Sequence, residues 1–188
     1  MKRFLFLSML VFIGVMVWVS VYDKEDDLPL SQKLERAMKL TRMKEYHDDD
    51  YNYTVRYPSF FEQTPDSLLD KGCCRFSFWQ DNIEVVQTAF IKQNPDSLTL
   101  EQAMTKYASE FHVTFHQIGH GFLILSGHIL DDNGRITSRC FHAKFVKHRK
   151  LWFVQSLTYS EECEQAIQRI IKEIDNPKSV VRLNFSHF

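Results

Sequence analysis

Glycine is scarce in this 188-residue chain: six are present, and none forms a GxGxxG or Walker-type loop. Nucleotide binding by either of those backbone cradles is excluded. Nor is there an excess of positive charge. Lys and Arg number 23 against 24 Asp and Glu, a net charge of −1, whereas a nucleic-acid binder shows a clear basic excess. The four cysteines include no CxxC pair, which leaves thiol-redox catalysis with little support. No Gly-x-Ser-x-Gly elbow occurs, so Ser, His and Asp residues cannot be assembled into a nucleophilic triad from the sequence. Glu161 and Glu162 are adjacent acids at a helix start, a placement that the helix dipole explains better than catalysis does.

What is present is ordinary globular composition, 44% hydrophobic and 25% charged, with a high aromatic share of 14% that includes 16 Phe. The longest uncharged run spans 19 residues from Phe4 to Tyr22. A membrane span needs about 20 apolar residues, an export signal only about 7–15 with a small-residue cleavage site. Val17-Trp18-Val19-Ser20-Val21 is a poor cleavage site, so residues 1–22 read as an uncleaved signal anchor, with a cleaved signal peptide as the alternative. Lys2 and Arg3 before the run and the acidic-rich Asp23–Asp27 after it place the N-terminus in the cytoplasm and the remainder outside. Residues 23–50 read as a charged stalk. Leu30, Leu34, Ala37 and Met38 have helical spacing there, and the helix is either solvated or laid on anionic lipid.

Residues 51–175 read as one α+β domain, and 176–188 as a tail whose alternating Val181, Leu183 and Phe185 suggest a short strand. Tyr51, Tyr53, Val55 and Tyr57 alternate up to Pro58; Cys73–Trp79 and Ile83–Lys92 pair across Asp81-Asn82. From Gly121 to Tyr159 the pattern gives three antiparallel strands, turned at Asp131–Gly134 and at Lys147–Lys150. Two amphipathic helices, 100–111 and 163–174, each carry one apolar stripe and therefore cover a sheet. The expected architecture is an antiparallel sheet of about six strands flanked by two helices. Thr99 and Gln102 form the capping box of the first helix.

This order resembles the PsbP-like fold, on Tyr57-Pro58 with Phe60-Phe61, Ser97-Leu98 opening the middle helix, Gly127 in the meander, and Leu157–Ser160 entering the last helix. That fold is shared by the photosystem extrinsic protein PsbP, a Ran-binding nuclear import factor and many bacterial envelope proteins. The resemblance covers about residues 51–175 and implies an accessory or binding role with no catalytic motif. A tail with strand character departs from it.

His112, His116 and His120 recur every four residues, which on a helix would offer three imidazoles to Zn²⁺; on a strand, consecutive members lie about 13 Å apart, too far for one ion. The sequence favours exposed strand and turn histidines, and no metal or other cofactor is assigned. Cys74 and Cys163 read as core thiols, whereas Cys73 and Cys140 could pair if their strands are neighbours. Lys147, Arg149 and Lys150 make a cationic hairpin tip suited to an acidic partner or to lipid headgroups. The expected function is a non-enzymatic, membrane-anchored extracytoplasmic module docking on another envelope protein. A small-ligand or lipid-binding domain is the alternative, and a metal-dependent enzyme built on the histidines is a third.

Overall fold

The computed structural model describes residues 28–176. The apolar run 1–22 and all of the tail beyond Asn176 lie outside the described residues. Among the described residues nine strands and three α-helices follow in order: α1 (Leu30–Leu40), β1 (Met43–Asp48), β2 (Tyr53–Pro58), β3 (Glu62–Gln63), β4 (Cys73–Gln80), β5 (Ile83–Gln93), α2 (Leu100–Ala108), β6 (His112–Gly119), β7 (Phe122–Leu130), β8 (Ile136–His148), β9 (Leu151–Ser160) and α3 (Gln168–Asp175). The large sheet is antiparallel, seven strands in the order β3-β4-β5-β9-β8-β7-β6, and β1-β2 form a separate two-stranded sheet.

Strand alternation divides the side chains of the large sheet between two cores. On one face Leu123, Leu125, Phe141, Ala143, Phe145, Trp152 and Val154 pack under Ala103 and Tyr107 of α2. On the other, Phe76, Val85, Phe153 and Leu157 pack under Ile167, Ile170 and Ile174 at α3, with Leu34 and Met38 of α1 and Tyr53, Val55 and Tyr57 of β2 completing the layer. β8 and β9 are central and covered on both faces, so Cys140 to Phe145 are all buried. α2 opens on the expected capping box: Thr99 Oγ1 accepts from Gln102 N at 3.2 Å and Gln102 Oε1 from Thr99 N at 2.9 Å. Gly127 is where β6 approaches most closely, since a Cβ there would stand 2.0 Å from the His112 carbonyl oxygen.

Three expectations need correction. The sheet system is larger than the six strands and two helices expected, because β6 joins the meander and residues 30–48 fold onto the domain. The segment taken as a charged stalk is instead α1 and β1. Leu34 and Met38 are each 2% exposed, and Arg169 donates to the carbonyls of Met38 and Thr41 at 2.9 and 2.8 Å. Leu34 and Met38 of the α1 stripe are thus buried in one core with residues of α3 and β2, with Leu30 packed against it, while Ala37 stays exposed. The last helix begins at Gln168, after a 3₁₀ turn at Glu161–Cys163, so the apolar stripe from Cys163 onward starts before the α-helix does.

Candidate functional site

The hairpin tip separates the three cations that the sequence groups. β8 and β9 are joined by a two-residue turn, with Arg149 at φ +53 in the position where a tight hairpin wants positive φ. Lys147 still belongs to β8, opposite Trp152. Its Nζ donates to the Leu98 carbonyl at 2.6 Å and lies 5.7 Å from the Trp152 ring centre, so it ties the α2 entrance to the sheet. Arg149 and Lys150 instead line a cleft of about 790 Å³ with Tyr51, Ile91, Gln93, Pro95, His148 and Leu151. Its walls come from three chain segments, with Tyr51, Ile91, Pro95 and Leu151 as the apolar members, and its rim is cationic. Asn94 fixes one side: its side chain accepts from Leu98 N at 2.9 Å and donates to Leu98 O at 3.1 Å, which holds the Pro95–Ser97 turn in place.

A second, polar cleft of about 370 Å³ opens on the α3 face, where Ser126, His128, Cys140 and His142 meet Glu161, Glu164 and Asp175. His142 is buried, with Nδ1 2.7 Å from Ser126 Oγ and Nε2 2.8 Å from Asp175 Oδ1. The sequence could not assemble this hydrogen-bonded Ser–His–Asp chain, because the residues are 16 and 33 positions apart and meet only through β7–β8 pairing and the docking of α3. Asp175 ends α3, so the chain pins the helix to the sheet. Lys144, 3% exposed, shares that role by donating to the carbonyls of Ile174 and Asp175, both at 3.0 Å. Burial holds the Lys144 ammonium below the usual lysine range, and the nearby Asp175 charge opposes the shift.

The remaining expected site residues are not brought together. A β-bulge between Val113 and Phe115 shifts the β6 register, so His112 pairs with His128 but His116 with Leu125. Those partners occupy opposite faces of β7, and His112 and His116 therefore do too, with His120 in the following turn. The bulge removes even the shared face that a regular strand would give. Cys73 and Cys140 cannot bridge: β5 and β9 stand between their strands, a separation of roughly 14 Å, and the pairing registers put them on opposite faces. Cys74 and Cys163 are buried, as the sequence implies.

Burial pushes the Cys74 thiol up to about 12, Cys163 to about 11 and the Tyr159 phenol to about 12. Each of these acids keeps its proton when folded at a pH where the unfolded chain loses it. Their contribution to stability is therefore complete below the ordinary thiol value of 9.0 and is lost as pH rises through the folded values of about 11–12. Lys144 acts in the opposite sense, since its lowered value makes stability rise with pH just below the normal lysine range, but the thiols and phenols raised by burial outnumber it. The urea midpoint is expected to be flat up to about pH 9 and to fall steeply by about pH 11. A midpoint that rose over that interval would contradict the buried placement of these groups.

No protein-family model and no curated protein matches the chain. Among solved structures it is similar to the solution structure of cyanobacterial PsbP from Synechocystis sp. PCC 6803, with a TM-score of 0.51 at 13% identity, over 72% of this chain and 90% of that one. At that identity the likeness speaks for the fold, and it agrees with the two-faced antiparallel sheet and its helices. The described chain has a PsbP-like α+β fold.

Proposed function

We propose that this protein is a non-enzymatic, membrane-anchored extracytoplasmic accessory module that docks on another envelope protein through the cleft beside the β8–β9 hairpin. A PsbP-like fold suggests an accessory or binding module. The observation that carries the reading is the composition of that cleft: Tyr51, Ile91, Pro95 and Leu151 beneath a rim formed by Arg149 and Lys150. Such a surface suits an acidic segment with an apolar anchor. The cationic rim adds on-rate and specificity more than affinity, and the apolar walls supply most of the burial. Anchoring rests on the uncharged run Phe4–Tyr22 behind Lys2 and Arg3.

The test is crosslinked co-purification of the full-length chain from detergent-solubilised membranes, read by mass spectrometry. A single stoichiometric partner is expected, and it should be reduced by about tenfold or more in the double reversal Arg149→Glu/Lys150→Glu, given that opposing charges turn steering into repulsion. A Lys147→Ala variant should keep the partner, because that ammonium is committed to the Leu98 carbonyl. Retention of the partner by the double reversal would place docking elsewhere.

A second reading has its own observation. Between α2 and the sheet lies a recess of about 240 Å³ walled by Phe90, Tyr107, Phe111, Phe141 and Phe145, with Lys92 Nζ 5.0 Å from the centre of the Tyr107 ring. Lys92 and Glu110 both line it, so it suits a small, mainly apolar ligand. Absence of any partner above background would move the weight to this recess.

A further inference from the structure

The polar cleft holds a donor pair that the docking reading does not use. His128 and Cys140 stand directly opposite each other in the β7–β8 ladder, and Cys140 Sγ lies 3.6 Å from His128 Nδ1. A thiolate at about 2.3 Å and an imidazole nitrogen at about 2.0–2.1 Å on a tetrahedral zinc ion are held about 3.6 Å apart. The thiol and the imidazole are hydrogen-bonded to each other at that spacing, which is also the edge length of such a site. His112 is the cross-strand neighbour of His128 on the other side, with ring centres 6.1 Å apart and planes tilted by 42°. Facing them, Glu161 and Glu164 line the same cleft as His128 and Cys140.

We propose that His128 and Cys140 form the core of a binding site for a borderline-soft divalent cation of the Zn²⁺ class, completed by His112 or a facing glutamate and by water. The donor set selects the ion: thiolate and imidazole suit zinc, whereas Ca²⁺ and Mg²⁺ require a shell of oxygens. Among the described residues no three such donors already converge on one point. The cation therefore has to draw in its third ligand. His112, Glu161 and Glu164 are all exposed, so their rotation displaces no packing. On binding, the Cys140 thiol gives its proton to solvent, and affinity rises with pH. Of the His112, His116 and His120 series only His112 stands beside this pair, because the bulge turns His116 to the other face and His120 lies in the following turn.

The experiment is a titration of the reduced full-length chain in detergent with Co²⁺, followed by displacement with Zn²⁺. A tetrahedral thiolate-bound cobalt ion shows a near-ultraviolet charge-transfer band and visible d–d bands. One equivalent is expected to produce them and one equivalent of Zn²⁺ to remove them. Cys140→Ser should abolish the charge-transfer band. His128→Ala should weaken binding by more than about 100-fold, since outer-shell partners alone are worth roughly 10–100-fold. Cys73→Ser and His116→Ala should leave the bands unchanged. A wild-type chain that gives no charge-transfer band overturns the proposal without reference to any variant. So does a band that survives in Cys140→Ser or is lost in Cys73→Ser.

Discussion

A chain shortened to residues 51–188 is expected to be unfolded, or to lose its cooperative transition, while one beginning at residue 28 retains it. The deletion strips Leu34 and Met38, each 2% exposed, from the layer that covers Ile167, Ile170 and Ile174. Burying two such side chains is worth about 1.5–3 kcal/mol apiece. It also removes β1, which pairs with β2 over six residues and brings Tyr46 edge-on to Phe76 at 5.8 Å. The Arg169 guanidinium loses two carbonyl partners, and Tyr53, Val55 and Tyr57 lose part of their cover. The combined loss exceeds roughly 5 kcal/mol, comparable with the whole stability of a domain of this size at about 5–15 kcal/mol. Circular dichroism and urea unfolding of the two chains decide the matter. A native-like transition in the 51–188 chain would show that residues 28–50 are a stalk after all.

Phe76→Ala is expected to cost about 3–5 kcal/mol, while Trp79→Ala on the same strand stays within about 0.5 kcal/mol. Phe76 is fully buried between the two sheets, its ring stacked on Tyr57 with centres 3.9 Å apart. Truncation leaves a cavity bounded by the large sheet on one side and β1-β2 on the other, and neither can collapse without breaking its own ladder. Trp79, three residues on, is 77% exposed. The check is the urea midpoint of each variant at unchanged slope, so that the difference reports stability and not compactness. Equal costs at the two positions would mean that β4 does not seat its ring under β2 as described.

These two results depend on different kinds of information. The alternation at Cys73–Trp79 made Phe76 a core residue from the sequence alone, because period two is a property of the strand itself. The stripe of Leu30, Leu34 and Met38 was equally visible. What covers a stripe is a separate matter: the same spacing serves a helix in water, on lipid or on another helix. Cys140, His142 and Lys144 show the limit from the other side. They alternate with Phe141, Ala143 and Phe145 and make the more polar face of the strand, yet β8 is central and α3 covers them. A buried Lys144 is tolerable only because the carbonyls at the end of α3 accept from it, and those carbonyls are about 30 residues away in sequence.

The candidate sites divide in the same way. The cationic tip was legible because Lys147, Arg149 and Lys150 are neighbours in the chain, but the direction of Lys147 was not, since strand parity aims it at Leu98 and away from the cleft. The bulge after Val113 has no clear local signature, and it alone puts His112 and His116 on opposite faces. The sequence by itself determined the α+β class, the capped helix, turns within Asp131–Gly134 and Lys147–Lys150, and the core thiols Cys74 and Cys163, all set by local periodicity and local backbone preference. Only the tertiary structure decided that residues 30–48 belong to the domain, that Cys73 and Cys140 are apart, and that His128 meets Cys140 while His142 meets Asp175. Those are matters of register and of which face meets which, and a one-residue slip in a strand reverses them without altering any local pattern.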